Sequence, residues 1–293
     1  MLDIYVNIGN TLSALESSLR IAISNADNFN SPGYKYSYAS FTTVFNNVIT
    51  SGMMLSANNA NNPIATGASM TIGSTGTDFK QGNIGLGTAL DVAISGEGFF
   101  SLSASTQEFG SGASRVFTRN GRFQKDFAGK FITDSFGRKV FGFKLDNNGN
   151  KVSDVEVPIE TDGNTDVGFV EGGVLVTNFQ SRKDAIANNT TPVPEQKALY
   201  KLSLTSFRNK QGLVVVDGGA YKATLAAGDP LPVGESGTGI YGDILQESLE
   251  SSNIDVARVA LDMALLNRGF AATQGIIDDV NKITNNLISK LTG

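Results

Sequence analysis

Residues 253–293 read NIDVARVALDMALLNRGFAATQGIIDDVNKITNNLISKLTG. Apolar side chains recur along this stretch at steps of three and four residues. They are Val256, Val259, Met263, Leu266, Phe270, Ile277, Val280 and Leu287. This heptad spacing predicts a long helix, N-capped at Ser252 or Asn253, that buries one narrow face against another helix. Thr273 and Thr284 are the polar members of the stripe, and we expect them to contact a neighbouring copy or to leave the helix locally loose.

A second heptad-like stripe lies at the other end of the chain. It consists of Ile4, Ile8, Leu12, Leu15, Leu19, Ala22 and Ala26. The stripe predicts a helix over residues 3–28, which Pro32 and Gly33 prevent from continuing. We expect the two terminal helices to pair as a coiled coil.

The outer face of the N-terminal helix carries few charges. Residues 1–60 contain only Asp3, Glu16, Arg20, Asp27 and Lys35 as charged residues, whereas a solvated helix face normally carries more. Small neutral side chains can pack against further helices without the cost of desolvating charges. The pattern therefore favours a helix pair that is itself a building block, although an ordinary bundle would show the same stripes.

The middle of the chain has the pattern of an antiparallel β domain. Short apolar runs separated by glycine succeed one another from about residue 77, and Asn120-Gly121 between two such runs predicts a hairpin. The predicted fold is α+β and mostly β, with the β domain inserted between the helices. The predicted domains are 1–35 with 250–293 for helical assembly, 36–76 with 228–249 as linkers, and 77–227 for the β domain, with a variable insertion at about 145–198.

Composition excludes several functions. The chain has no histidine and no cysteine, which removes the commonest general base, the thiol nucleophile and the usual zinc ligands. A net charge of −5 argues against nucleic acid as a partner, and the basic residues of 115–144 are interpreted as a solvated or subunit-contacting face. No apolar run is long enough to span a membrane. We predict no catalytic residue, cofactor, metal or small-molecule substrate, and we expect no cleavable signal peptide.

Four motifs resemble those of a known family, the rod and hook subunits that form the axis of the bacterial flagellum. In chain order they are residues 25–35 (NADNFNSPGYK), residues 79–82 with 90–100 (FKQG and LDVAISGEGFF), residues 117–123 (FTRNGRF), and residues 206–213 with 249–255 (SFRNKQGL and LESSNID). Near Arg268 and Thr273 the sequence departs from the family pattern, so polar contacts between helices there are expected to differ.

The resemblance implies a structural subunit of the flagellar rod or hook. Such subunits polymerise helically into a tube outside the cytoplasmic membrane, with terminal helices inside and β domains outside, and leave the cell through the flagellar type III export apparatus. The implied partners are other copies and neighbouring axial proteins. Besides Ile4, Ile8, Leu12, Leu15 and Leu19 of the N-terminal stripe and the apolar members of the C-terminal stripe, the residues assigned to subunit interfaces are Asn25, Asn28, Asn30, Gly33, Tyr34, Leu249, Glu250, Ser252, Asn253 and Arg268. The alternatives are a secreted cap or adaptor that does not polymerise, and a cell-wall hydrolase acting through carboxylates.

Overall fold

A computed structural model describes residues 2–50, 53–56, 59–61, 64–103 and 115–292. The chain forms two compact units. The helical unit comprises Met1–Phe29, Tyr36–Asp78 and Ile254–Gly293, and the β unit comprises Asn30–Lys35 and Phe79–Asn253. Each unit is therefore assembled from segments that are distant in sequence.

Helices and strands are numbered in chain order. The helices are α1 (Leu2–Asp27), α2 (Phe179–Ala187) and α3 (Val256–Thr292). The strands of the helical unit are β1 (Ser37–Thr50), β2 (Met53–Ser56), β3 (Asn59–Asn61) and β4 (Ile64–Thr77). The strands of the β unit are β5 (Ile84–Leu86), β6 (Val92–Ser95), β7 (Phe99–Ser103), β8 (Arg115–Thr118), β9 (Gln124–Lys125), β10 (Ile132–Thr133), β11 (Phe141–Lys144), β12 (Val157–Pro158), β13 (Val167–Val170), β14 (Val174–Thr177), β15 (Ala198–Leu202), β16 (Leu204–Thr205), β17 (Leu213–Val216), β18 (Ala220–Ala223), β19 (Asp243–Gln246) and β20 (Ser248–Glu250).

The two terminal helices lie antiparallel and in contact. The Tyr5 hydroxyl donates a hydrogen bond to Asn281 Oδ1 over 3.0 Å near one end, and Leu15 packs against Gly269 nearer the middle. These contacts confirm helices at both ends of the fold, while their packing as a coiled coil stays a prediction. The N-cap of α3 is Asp255 rather than Ser252 or Asn253, because its carboxylate accepts from the backbone N–H groups of Ala257 and Arg258.

Residues 36–76, which the sequence analysis interprets as a linker, instead contain a long hairpin. Strands β1 and β4 pair antiparallel from Ser37 opposite Thr77 to Thr50 opposite Ile64, and α1 contacts both strands. Threonine, valine, isoleucine and aromatic residues at alternating positions favour these strands. Residues 51–52, 57–58 and 62–63 of the predicted linker lie outside the described residues. In the second predicted linker, 228–249, the strands β19 and most of β20 form.

The β unit contains two five-stranded antiparallel sheets. Their strand orders are β12-β11-β15-β14-β13 and β16-β7-β8-β18-β17, and three two-stranded sheets, β9 with β10, β6 with β19 and β5 with β20, complete the unit. Phe100 and Leu102 of one sheet share a buried core with Phe169, Leu175 and Leu202 of the other. The predicted antiparallel β body is confirmed.

One local prediction for the β unit is wrong, and one helix is not predicted from the sequence. Asn120-Gly121 does not join a hairpin, because β8 pairs with β7 and β18 rather than with the strand that comes after it. A Cβ atom at Gly121 would lie 1.7 Å from the Val92 carbonyl oxygen, so this glycine is needed for a close backbone approach. Helix α2 is absent from the sequence prediction, because its N-terminus is capped by Asp166, which lies well outside the local sequence.

Thr273 is buried within the helical unit, and its hydroxyl donates to the Gly269 carbonyl one turn earlier over 2.9 Å. Its contact with a neighbouring copy and the local looseness of the helix there stay predictions. Among the described helices, none combines the length and the apolarity needed to cross a membrane.

Candidate functional site

A buried ionic cluster lies in the β unit. It consists of Lys35, Arg119 and Glu250, whose exposed fractions are 1%, 4% and 1%. Lys35 Nζ lies 2.5 Å from Glu250 Oε1, and Arg119 Nη1 lies 3.4 Å from Glu250 Oε2. The Gly82 N–H also donates to Glu250 Oε1 over 2.8 Å, so one carboxylate accepts from three donors. Buried charges persist only where such partners satisfy them.

The cations of the cluster have further acceptors in the backbone. Lys35 Nζ donates to the Lys80 carbonyl over 2.8 Å, and Arg119 Nη2 donates to the Gly96 carbonyl over 2.6 Å. Burial lowers the pKa of the Arg119 guanidinium, and the nearby carboxylates of Glu250 and Glu97 partly offset that effect. Arginine remains charged at neutral pH in spite of such a shift.

The cluster brings together all four of the family-like motifs. Lys35 ends the first motif, Lys80 and Gly82 belong to the second with Gly96, Arg119 lies in the third, and Glu250 lies in the last. The segments are also joined by hydrogen bonds that involve backbone groups. The Gly33 N–H donates to the Glu250 carbonyl over 2.7 Å, and the Asn253 side-chain amide donates to the Lys80 carbonyl over 3.0 Å.

Two glycines allow this close approach. Gly33 has a φ of +68°, and a Cβ atom there would lie 2.4 Å from the Arg119 carbonyl carbon. A Cβ atom at Gly82 would lie 2.1 Å from the Ser251 carbonyl oxygen. Any larger residue would separate the segments that carry the three charges.

Aromatic rings lie beside the cluster. The Arg119 guanidinium carbon lies 5.5 Å from the centre of the Phe99 ring, within the range of a cation–π contact. Phe99 in turn makes edge contacts with Phe79 and Tyr221, at centroid distances of 5.6 and 5.9 Å. Burial raises the pKa of the Tyr221 hydroxyl well above its ordinary value, so this ring stays neutral. The surroundings are apolar, which strengthens the ionic contacts.

The arrangement suits a structural role. Its charged groups are buried and mutually satisfied, and no group of three potential metal ligands occurs in the parts of the chain that the structure describes. Lys35 immediately precedes the return of the chain to the helical unit, and Asn253 immediately precedes its second return. The cluster therefore fixes, inside the β unit, the two segments by which the chain leaves it.

The predicted interface residues fall into three groups. In the helical unit, Leu15 and Val259 are buried, and Ile8, Leu19, Met263, Leu266, Phe270, Ile277 and Val280 are half-buried. Exposed residues are Ile4, Leu12, Asn30, Val256, Arg268 and Leu287. Gly33, Tyr34, Leu249 and Glu250 are buried within the β unit, and Ser252 and Asn253 are half-buried there. Contacts of these residues with other subunits remain predictions.

Asn25 and Asn28 stabilise the C-terminal end of α1. The Asn25 amide donates to the Ser37 carbonyl over 2.7 Å and accepts from the Ser37 N–H over 3.0 Å, which ties α1 to the start of β1. Asn28 donates from its side chain to the Ser24 carbonyl over 2.9 Å. Both are contacts within one chain.

Sequence patterns do not reveal the central residues of the cluster. Lys35 and Arg119 appear in two of the motifs, but nothing in their spacing shows that both reach Glu250. The interpretation of the basic residues of 115–144 as a solvated or subunit-contacting face is wrong for Arg119, Arg138 and Lys139, which are buried. One feature of the sequence does set Lys35 apart: it is followed by a run without charged residues that extends to residue 77.

Comparison with known proteins gives relatives of one kind. No protein-family model matches the chain. The flagellar basal-body rod protein FlgG of Agrobacterium fabrum is 26% identical over 285 residues, which cover 95% of both chains. The protein of the same name from Bacillus subtilis is 24% identical and covers 94% of this chain and 93% of its own. The flagellar hook protein FlgE of Helicobacter pylori is 33% identical over 152 residues, which are 50% of this chain and 20% of that protein.

These relatives are flagellar rod and hook proteins, so they confirm the predicted flagellar setting and the prediction that the chain is not an enzyme. The similarity to rod proteins runs from end to end, and the residues that carry the resemblance meet at the ionic cluster. The chain is therefore similar to the rod and hook proteins of the bacterial flagellar axis.

Proposed function

We propose that the chain is a structural subunit of the flagellar axis that polymerises helically into a tube through its terminal helices. The tube transmits torque and carries exported subunits, and the chain itself leaves the cell through the flagellar type III export apparatus. The observation that carries the proposal is the apolar surface of the helical unit. Exposed aliphatic side chains are present on both helices, at Ile4, Val6, Leu12 and Ile23 of α1 and at Leu261, Leu265, Ile276, Ile283 and Leu287 of α3.

Burial of this surface supplies the driving force of assembly. A fully buried aliphatic side chain contributes about 1.5–3 kcal/mol, so several of them outweigh the loss of freedom on association. Helix α1 also carries few charges that would have to be desolvated. In the proposal, this surface binds neighbouring copies of the chain, and the exposed residues of the two stripes lie at the contacts.

Within the flagellar axis the comparisons favour the rod. The rod relatives match this chain over nearly their whole length, whereas the hook relative from Helicobacter pylori matches over 20% of its own. A tagged subunit in isolated basal bodies tests the assignment. Label confined to the hook would refute a rod position without affecting polymerisation.

Polymerisation is tested by sedimentation and negative-stain electron microscopy of the purified chain. We expect tubes from the intact chain and none after removal of residues 256–293, which leaves Asn253 and the ionic cluster in place. A matched pair of variants separates the surface from the fold. Ile276→Asp, on α3, should block assembly, whereas Leu225→Asp, at an exposed position of the β unit, should leave it intact.

Two outcomes would contradict the proposal. An intact chain that binds a flagellar partner but gives no tubes at high concentration is an adaptor, the non-polymerising alternative. Polymers that form equally well without residues 256–293 would remove the helices from the mechanism.

A further inference from the structure

The helical unit contains an open groove of about 330 Å³ between α1, β1 and α3. Its walls are largely apolar and include Ile21, Ala22, Phe41, Leu265 and Leu266. A cavity of roughly 150 Å³ already accepts a benzene ring, so this groove has room for a leucine-sized side chain and part of its neighbours. Leu265 is 54% exposed and Phe41 41% exposed, so the groove lacks a cover in the isolated chain.

The groove also contains polar groups. The Ser18 hydroxyl oxygen lines it, is buried, and has no hydrogen-bond partner. At the rim the Tyr36 hydroxyl donates to Asp262 Oδ2 over 2.8 Å, and the Arg258 guanidinium lies over the Tyr36 ring at 4.5 Å. A fitting occupant therefore combines an aliphatic side chain with polar groups, as an amphipathic helix does.

The register of the helix pair shows where such a helix is available. Tyr5 bonds to Asn281 and Leu15 contacts Gly269, so the start of α1 lies level with about Thr284. The part of α3 from residue 285 to residue 292 therefore extends beyond the described start of α1. Leu287 is 47% exposed there, in a stretch with asparagine, serine and lysine.

The end of α3 cannot reach the groove of its own chain. Asp262 and Leu287 lie on one continuous helix, and at about 1.5 Å per residue they are roughly 37 Å apart along its axis. An α3 end that fills the groove must therefore come from another molecule.

We propose that the groove binds the end of α3, residues 285–292, from a second copy of the chain, with Leu287 between Phe41 and Leu265. The proposal rests on the proposed polymerisation and names the contact that produces it. Groove and α3 end are two different surfaces at opposite ends of one helix pair. Such a contact is head-to-tail, and its repetition generates an open helical array rather than a closed dimer.

Disulfide cross-linking tests the contact, because the chain contains no cysteine. Leu265→Cys and Leu287→Cys are prepared as separate single-cysteine chains and mixed under mild oxidation at micromolar concentration. Docking raises the effective concentration of the two thiols toward the millimolar range, so the mixture should give on the order of tenfold more cross-linked dimer than a control. The control mixes Leu287→Cys with Leu225→Cys, an exposed position of the β unit.

The outcomes separate this contact from polymerisation itself. Dimer in the Leu265/Leu287 mixture, and in neither variant alone, supports the proposal. Dimer from Leu265→Cys alone indicates a symmetric contact and overturns it, as does a mixture that gives no more dimer than the control while the unmodified chain forms tubes. If the unmodified chain forms no tubes, the proposed function fails, whatever the cross-linking shows.

A second measurement does not depend on oxidation. Leu265→Asp places a charge in the apolar groove, and Leu287→Asp places a charge on the apolar end of α3. Neither chain should therefore polymerise alone. Each retains the surface that the other lacks, and an equimolar mixture should give a 1:1 dimer in analytical ultracentrifugation. Circular dichroism of the two variants establishes that they are folded. Absence of the dimer from folded variants overturns the proposal.

Discussion

Replacement of Glu250 by glutamine tests the ionic cluster most directly. The substitution keeps the shape of the side chain and one oxygen that can accept from the Gly82 N–H. It removes the negative charge that pairs with both Lys35 and Arg119 and leaves two buried cations without the carboxylate that they share. Breaking a buried ion pair by removal of one partner typically costs about 3–5 kcal/mol.

We therefore expect Glu250→Gln to lower the free energy of unfolding of the β unit by about 3–5 kcal/mol. Urea unfolding, monitored by tyrosine fluorescence, measures this as a lower midpoint with an unchanged slope. In a unit of this size, each 1 kcal/mol corresponds to about 2–4 °C in Tm, so thermal unfolding should shift by roughly 6–20 °C.

A surface ion pair provides the matched control. Lys282 and Asp279 lie 3.1 Å apart, with side chains 72% and 73% exposed. Pairs of this kind contribute about 0–1 kcal/mol, so Asp279→Asn should change stability very little. A further variant replaces all three charges of the cluster by Met or Leu, which is often neutral or stabilising for a buried network. If Glu250→Gln cost no more than Asp279→Asn, the assignment of the cluster as a stabilising junction would be refuted.

Three further predictions test other contacts of the fold. Gly33→Ala combines a strained φ with a backbone clash and should destabilise the β unit by at least about 2 kcal/mol in urea unfolding. The control is Gly129→Ala, at a φ of +67° with open space around it, which should cost only the conformational part of about 1 kcal/mol. Asn25→Ala removes the acceptor of the Ser37 N–H, and the exchange rate of that amide should rise about tenfold by hydrogen-exchange NMR. Burial raises the pKa of Asp166, but hydrogen bonds from Ser181 and the start of α2 outweigh it and lower the pKa. The stabilisation by Asp166 is therefore present above its unfolded pKa and lost as pH falls through the lowered value. Asp166→Asn removes the carboxylate that titrates, so the loss of the α2 helix signal at low pH, followed by circular dichroism, should become less steep.

The sequence predicts the outline of this fold because its outline depends on local patterns. The stripes that contain Leu15 and Val259 repeat at helical steps, and both residues are buried. Alternating runs in the middle of the chain likewise predict antiparallel strands. These features need only neighbouring residues for their recognition.

The parts that sequence patterns do not predict depend on contacts between distant residues. The first-turn N–H groups of α2 donate to Asp166, which precedes β13, so the carboxylate that stabilises the start of the helix lies outside the local sequence. Glu250 lies 215 positions from Lys35 and 131 from Arg119, and no periodicity links them. The resemblance points to the correct segments without showing that they meet.

The ionic cluster also affects the helices, through chain entropy. Before the β unit folds, contact between α1 and α3 closes a loop that runs from Asp27 to Val256. Once Gly33 is bonded to Glu250 inside the folded β unit, the loop consists only of the short segments on either side. Shortening the loop roughly fifteenfold lowers the closure cost by about 2.4 kcal/mol. The cluster therefore favours pairing of the terminal helices without touching their interface. Glu250→Gln should weaken that pairing under conditions in which it unfolds the β unit, although no residue of the helix contact is changed.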